Sequence, residues 1–126
     1  MTEEDRQKLE KRILVELPHL SDGEVDALAG IVERLVEAYE PQRIYLFGSK
    51  ARGDARPDSD FDLMVVVPDT ASGDRKGSRL ACQVLRGTGT AADVLVWTRK
   101  VFESRLHLAA SLPATVVREG RLLDAA

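Results

Sequence analysis

Apolar residues recur at helical spacing in the first third of the chain. One such pattern covers residues 3–17 and a longer, cleaner one covers residues 21–39. The second opens with Ser-Asp-Gly-Glu, a sequence typical of a capping box at a helix start. Pro18 and Pro41 end the two patterns. The sequence therefore predicts an N-terminal helical segment over about residues 1–40.

Three short apolar runs follow, at residues 44–47, 61–67 and 92–97. Runs with so few polar positions are typical of strands that lie in the middle of a sheet or are covered on both faces. The first two are separated by too few residues for a crossover that contains a full helix, so they are predicted to pair antiparallel. We predict an α+β fold: a small mixed β-sheet of three core strands, the first two antiparallel, flanked by helices. Residues 121–124 add a predicted edge strand.

Composition sets limits on this picture. The 126 residues fit one domain over 1–126, with 44% apolar and 31% charged residues, as in soluble globular proteins. The net charge is −3 and basic residues form no run, which argues against direct nucleic-acid binding. No apolar run approaches membrane length, so we expect a cytoplasmic protein without a membrane partner. The one cysteine, Cys82, falls in an apolar helical pattern and is expected to be a small core residue.

Two aspartates stand where the second apolar run begins. Asp60 and Asp62 are one residue apart, so in a strand their side chains project to the same side. Carboxylates placed together repel unless a cation lies between them, and Mg²⁺ takes one or two carboxylates plus substrate phosphates. We predict that both aspartates bind metal. The alternative is a polar turn whose side chains cap the local backbone.

A Gly-Ser pair ends the first apolar run. Gly48 permits a tight turn, and Ser49 is predicted to cap a short helix. The start of a helix presents free N–H groups and the positive end of the helix dipole, which favours phosphate. With the two aspartates across the turn, these residues predict a nucleoside triphosphate site. The alternative is a cap with nothing bound.

The stretch from Arg43 to Val67 resembles a known family. Gly-Ser, ten intervening residues and Asp-x-Asp, set between apolar strands, are similar to the signature of the polymerase-beta-like nucleotidyltransferase superfamily. The fuller wording Phe-Gly-Ser-Lys-Ala-Arg-Gly, followed by Ser-Asp-Phe-Asp-Leu, resembles the minimal nucleotidyltransferases of the antitoxin type. The resemblance implies a nucleotidyltransferase fold.

The resemblance also implies further site residues. The family pattern has a third acidic residue on a neighbouring strand, and Asp93 is the candidate here; the alternative is an aspartate that caps a turn. Arg52 stands in the family's Ala-Arg-Gly wording and would join Gly48 and Ser49 in binding the nucleotide. Its alternative is a structural role, paired with Asp58 or a backbone carbonyl.

Other polar residues receive structural interpretations. Lys50 and Arg56 are expected to be solvated loop charges, although either could neutralise a triphosphate. His19 and His107 lack the spacing of metal ligands and are interpreted as structural.

The function implied by the resemblance is nucleotidyl transfer. Asp60, Asp62 and Asp93 would hold two Mg²⁺ ions and catalyse transfer of a nucleoside monophosphate, AMP from ATP, to an acceptor hydroxyl. Short family members resemble antitoxins, so a tyrosine of a HEPN-type toxin is one candidate acceptor. A non-catalytic antitoxin that neutralises a toxin by binding, and an enzyme acting on a small molecule such as an aminoglycoside, stay as alternatives. A homodimer is a further candidate assembly.

Overall fold

The structure is a computed structural model, and it describes residues 1–56 and 58–126. The elements follow in the order α1 (Glu3–Glu16), α2 (Asp22–Tyr39), β1 (Arg43–Phe47), α3 (Gly48–Arg52), β2 (Phe61–Val67), a 3₁₀ turn (Gly73–Lys76), α4 (Arg79–Leu85), β3 (Ala92–Thr98), α5 (Arg99–Ser104), α6 (Leu112–Glu119) and β4 (Arg121–Ala125). A loop is expected at residues 54–58, between the first two strands, and its Pro57 lies outside the described residues. Within the described ranges, no helix combines the length and the apolar character needed to cross a membrane.

Capping boxes begin both N-terminal helices. In α2 the Ser21 hydroxyl accepts a hydrogen bond from the Glu24 N–H at 3.2 Å, and the Glu24 carboxylate accepts one from the Ser21 N–H at 3.1 Å. Thr2 and Asp5 form the same exchange at α1. These bonds satisfy N–H groups that a helix start leaves without intrahelical partners. The predicted starts of both helices are confirmed, and α1 ends at Glu16 rather than residue 17.

The sheet has the strand order β3-β2-β1-β4. Strand β1 runs antiparallel to both β2 and β4, whereas β2 and β3 are parallel. The predicted mixed sheet and its antiparallel first pair are confirmed. The predicted edge strand is present as a fourth strand, and it lies beside β1 at the edge opposite β3.

Strand β2 is apolar apart from Asp62 because helices cover both faces of the sheet. Phe61, Leu63, Val65 and Val67 pack in one core with residues of α1, α2 and α4. Met64 and Val66 pack in a second core with Tyr45 and with residues of α5 and α6. Alternate β2 residues therefore belong to opposite layers, and this parity decides which face the residues at the start of the strand point to.

The prediction that Cys82 is a core residue is wrong, because its side chain is exposed. Helix α4 buries Ala81 and packs Leu80, Val84 and Leu85 against the core. Successive residues on a helix are rotated by about 100°, so the residue after Ala81 falls outside this narrow apolar face.

The Tyr39 hydroxyl fastens the 3₁₀ turn and α4 to the end of α2. It donates to the Gly77 carbonyl at 2.6 Å and accepts from the Ala81 N–H at 2.8 Å, and the tyrosine is 1% exposed. Ala81 N–H lies in the first turn of α4, where no intrahelical acceptor exists.

We expect Tyr39→Phe to lower the free energy of unfolding by about 1–3 kcal/mol, because the buried Ala81 N–H and the partly buried Gly77 carbonyl both lose their hydrogen bond. Urea unfolding followed by circular dichroism measures this. Tyr45→Phe is the matched control, since among the described residues the hydrogen bond of that hydroxyl is a 3.3 Å bond that it accepts from Arg43. Equal stability losses in the two variants would contradict this account.

Candidate active site

The turn after β1 lies directly against the first residues of β2. In the ladder, Phe47 is opposite Asp62, and α3 begins at the next residue, Gly48. Gly48 has φ +74°, and a Cβ there would lie 3.1 Å from Asp62 Cγ and closer still to its Oδ2. A side chain at this position would therefore displace the Asp62 carboxylate. Close approach to a carboxylate, as well as the turn itself, requires glycine here.

Ser49 lies inside α3 and does not cap it. The N-cap is Phe47, which makes no side-chain cap hydrogen bond. The prediction of a Ser49 cap is wrong because the chain turns at Gly48, whose φ is positive, and the helix begins there, two residues earlier than a Ser49 cap requires. The Ser49 carbonyl accepts from the N–H groups of Gly53 and Asp54 at 3.0 and 3.2 Å, which closes the short helix.

Asp62 is half-buried at the start of β2 and pairs in the parallel ladder with Asp93 of β3. Burial raises the pKa of Asp62, the nearby carboxylates of Asp93 and Asp60 raise it further, and the Arg52 guanidinium lowers it in part. The register of β2 with β3 places Asp62 and Asp93 side by side at one end of the sheet, and Asp60 directly precedes β2.

The structure brings the three predicted carboxylates to the same end of the sheet, but it does not group them as tightly as the ligands of a metal site. Asp60 and Asp93 are exposed, whereas Asp62 is half-buried. Among the residues that the structure describes, no three His, Cys, Asp or Glu side chains are grouped as a ready-made metal site would require. Metal ligation by Asp60, Asp62 and Asp93 therefore stays a prediction.

The ion pair of Arg52 differs from the expected one. Its Nε lies 3.2 Å from Asp54 Oδ2, with both side chains substantially exposed. Asp54, two residues away, is reached within the same turn, so the pairing with Asp58 is wrong. Because solvent screens such a pair, the guanidinium is available to another anion at little cost.

Lys50 is the largest departure from expectation, because it is buried rather than solvated. The residue is 4% exposed, and its Nζ lies 2.6 Å from Glu24 Oε2 of α2. The same Nζ lies 5.2 Å from the centroid of the Phe61 ring. In the sequence, a buried lysine looks the same as a solvated one. The partner of Lys50 is 26 residues away, so no local signal identifies this contact.

The two histidines differ in their roles. His19 Nε2 lies 2.6 Å from the Lys50 carbonyl oxygen, which supports the structural interpretation and adds a specific partner. His107 is exposed beyond the end of α5, and Arg56 is exposed as expected.

Comparison with known proteins places the chain in a family. The model of the nucleotidyltransferase domain family matches residues 26–122, and the chain belongs to this family. A comparison with curated protein sequences finds no match.

Two solved structures are similar in fold. A crystal structure of a toxin-antitoxin with AMP-PNP is 25% identical, with 77% of this chain and 73% of that chain covered and a TM-score of 0.52. A protein from Sulfolobus solfataricus that was proposed to be a nucleotidyltransferase is 20% identical, with 79% and 78% covered and a TM-score of 0.48.

We expect Gly48→Ala to lower the free energy of unfolding by about 1–3 kcal/mol. The new Cβ would meet the Asp62 carboxylate, and alanine disfavours the positive φ of this position. Gly30→Ala is the control. A Cβ at Gly30, inside α2, meets nothing within 4 Å, so that variant should gain about 0.5–1 kcal/mol. Urea unfolding of both variants decides, and a Gly48→Ala protein as stable as wild type would show that Asp62 is not held against the turn.

We expect Asp62→Asn to unfold at or above the wild-type temperature at pH 7. The raised pKa of Asp62 means that the ionised carboxylate destabilises the folded state at pH values above that pKa. As the pH falls through the folded-state pKa, the wild type regains this stability, and below the unfolded-state pKa the advantage of the variant is gone. Thermal unfolding at a series of pH values tests this, with Asp58→Asn as the control for loss of one nearby charge. A variant less stable than wild type at pH 7 would contradict the burial effect.

Proposed function

We propose that the protein is a Mg²⁺-dependent nucleotidyltransferase that transfers AMP from ATP to an acceptor hydroxyl. The observation that carries the proposal is the pairing of Asp62 with Asp93 in adjacent strands, beside a glycine turn packed against Asp62. Membership of the nucleotidyltransferase domain family supports it. So does the likeness to a toxin-antitoxin structure with AMP-PNP.

The residues present fit a magnesium ion. Asp60, Asp62 and Asp93 would hold it. The pKa of Asp62 is raised by burial and by the two other carboxylates, and a bound cation would offset this excess of negative charge. Mg²⁺ usually keeps waters and takes only one or two carboxylates with substrate phosphates, so it needs no closed protein cage. When bound, the ion would neutralise charge that develops on the phosphates during transfer.

The proposed step exchanges one phosphorus–oxygen bond for another. The acceptor hydroxyl oxygen attacks the α-phosphorus, the bond to the bridging oxygen of the β-phosphate breaks, and pyrophosphate leaves. The hydroxyl proton passes to a carboxylate, for which Asp93 is suited because it is exposed at the edge of the site. Arg52 and the backbone after Gly48 would bind the outgoing phosphates, so the residues act by positioning and by charge.

A tyrosine of a HEPN-type toxin is the proposed acceptor. The toxin-antitoxin neighbour supports a toxin partner for this chain. The same likeness also favours a second candidate, a non-catalytic antitoxin that neutralises the toxin by contact. The two differ in whether covalent AMP appears on the partner.

Incubation with Mg²⁺ and ATP labelled at the α-phosphate separates these functions. The reaction is run with and without the product of the adjacent reading frame, and in parallel with an aminoglycoside. Label on the protein partner supports AMP transfer to a toxin, and a stable but unlabelled complex supports the binding antitoxin. Label on the aminoglycoside would indicate a small-molecule enzyme instead.

We expect Asp60→Asn and Asp62→Asn each to reduce label transfer by at least about 100-fold, because each removes a charge proposed to hold the cation. Asp58→Asn should retain transfer, since this exposed residue has no proposed role. Circular dichroism confirms that each variant is folded. Transfer at the wild-type rate by Asp62→Asn would overturn the metal assignment.

A further inference from the structure

We propose that Glu24 and His19 are positioning residues for the turn that carries Gly48 and Ser49, and that they act through Lys50. Both residues precede the part of the chain that the family model matches, which begins at residue 26. The inference rests on the proposed function for its effect on nucleotide binding, and on the contacts of α3 for the rest.

The first contact holds the Lys50 side chain. Its Nζ is paired with Glu24 Oε2 at 2.6 Å, and the lysine side chain is 5% exposed whereas that of Glu24 is 34% exposed. An ammonium this deeply buried needs a charged or polar partner, and Glu24 supplies it together with the face of the Phe61 ring. The Glu24 pKa is lowered, first through its hydrogen bond from Lys50, so the Glu24 carboxylate is ionised at neutral pH.

The second contact holds the Lys50 backbone. A carbonyl oxygen only accepts hydrogen bonds, so His19 Nε2 carries the proton that lies between the two atoms, 2.6 Å apart. Carbonyls near a helix end have no intrahelical partner, and α3 ends two residues later. The His19 ring also covers the helix end, since a Cβ at Gly53 would be 3.5 Å from His19 Cγ.

Packing on these sides of α3 is incomplete, which makes the polar contacts decisive. Clefts of about 330 and 430 Å³ lie beside the pair, and both are lined by Ser21, Glu24 and Lys50. Glu24 and His19 therefore connect the N-terminal helices to α3 between two open clefts.

The position of Lys50 fixes that of Ser49, because the two residues are adjacent in one short helix. Loss of either contact would let α3 shift relative to β2, and the Gly48 turn would move with it. The expected effect falls on binding of the triphosphate, with little effect on the chemical step once the substrate is in place.

Two variants test the contacts separately. Glu24→Gln removes the charge while glutamine still serves the capping box with Ser21, and His19→Phe keeps a ring over Gly53 while removing the donor. Lys50→Met combined with Glu24→Gln removes both charges, a replacement that often preserves stability. Asp26→Asn is the matched control, since Asp26 lies on the same helix and pairs with Arg6 instead.

Calorimetry with Mg²⁺ and α,β-methylene-ATP, which cannot transfer AMP, measures nucleotide affinity. We expect about tenfold weaker binding in the three test variants, a matching rise in KM for ATP with kcat within about twofold, and wild-type values in Asp26→Asn. Hydrogen exchange at the Gly53 and Asp54 amides, which donate to the Ser49 carbonyl, should be faster in the test variants.

Wild-type affinity together with wild-type exchange in folded Glu24→Gln and His19→Phe would overturn the inference, as would a loss confined to kcat. If the wild-type protein itself binds no nucleotide, the proposed function fails. Hydrogen exchange at the Gly53 and Asp54 amides then still tests the inference. Faster exchange in the test variants supports positioning of α3 by Glu24 and His19, and unchanged exchange overturns it.

Discussion

The antiparallel pairing of β1 with β2 is the constraint on which the candidate site depends. It sets Phe47 opposite Asp62, so the backbone that leaves β1 at Gly48 turns against the Asp62 carboxylate. A shift of one residue would exchange the two faces of β2 and carry Asp62 into the layer of α1 and α2. Because β2 carries apolar residues on both faces, the hydrophobic pattern alone does not oppose such a shift. The shift is opposed because the Asp62 carboxylate would enter an apolar core without a partner and both packed layers would have to rearrange.

The same arrangement collects negative charge at one edge of the sheet. Parallel pairing with β3 adds Asp93 beside Asp62, and burial and like charge together raise the Asp62 pKa. Such a carboxylate is unfavourable for folding, and only Arg52 offsets it among the causes of its pKa shift. What is unfavourable for the isolated fold is favourable for binding a cation, and groups with perturbed pKa values often mark functional sites.

Local patterns in the sequence predict much of this fold. Ser21 and Glu24 indicate a helix start by their spacing, and the short apolar runs identify the strands and the antiparallel pair, because each signal lies within a few residues. The contacts of Lys50 are different in kind. Its partners Glu24 and His19 lie 26 and 31 residues away, and nothing in the loop sequence separates a buried lysine from a solvated one. The Ser49 cap fails for a local reason, since Gly48 takes a conformation that starts the helix early.

The Lys50–Glu24 pair is difficult to explain by stability alone. The Lys50 side chain is removed from water whereas that of Glu24 stays 34% exposed, and burying the ammonium costs much of what the attraction returns. Apolar residues of similar size often stabilise a fold as well. An ion pair differs from an apolar contact in direction, because the ammonium and carboxylate hold their separation and angle far more narrowly than two methyl groups would. In this chain the ion pair fixes the orientation of α3, which is flanked by two clefts. A geometric role therefore accounts for the pair better than a stabilising one, and it links the N-terminal helices to the edge where the three aspartates lie.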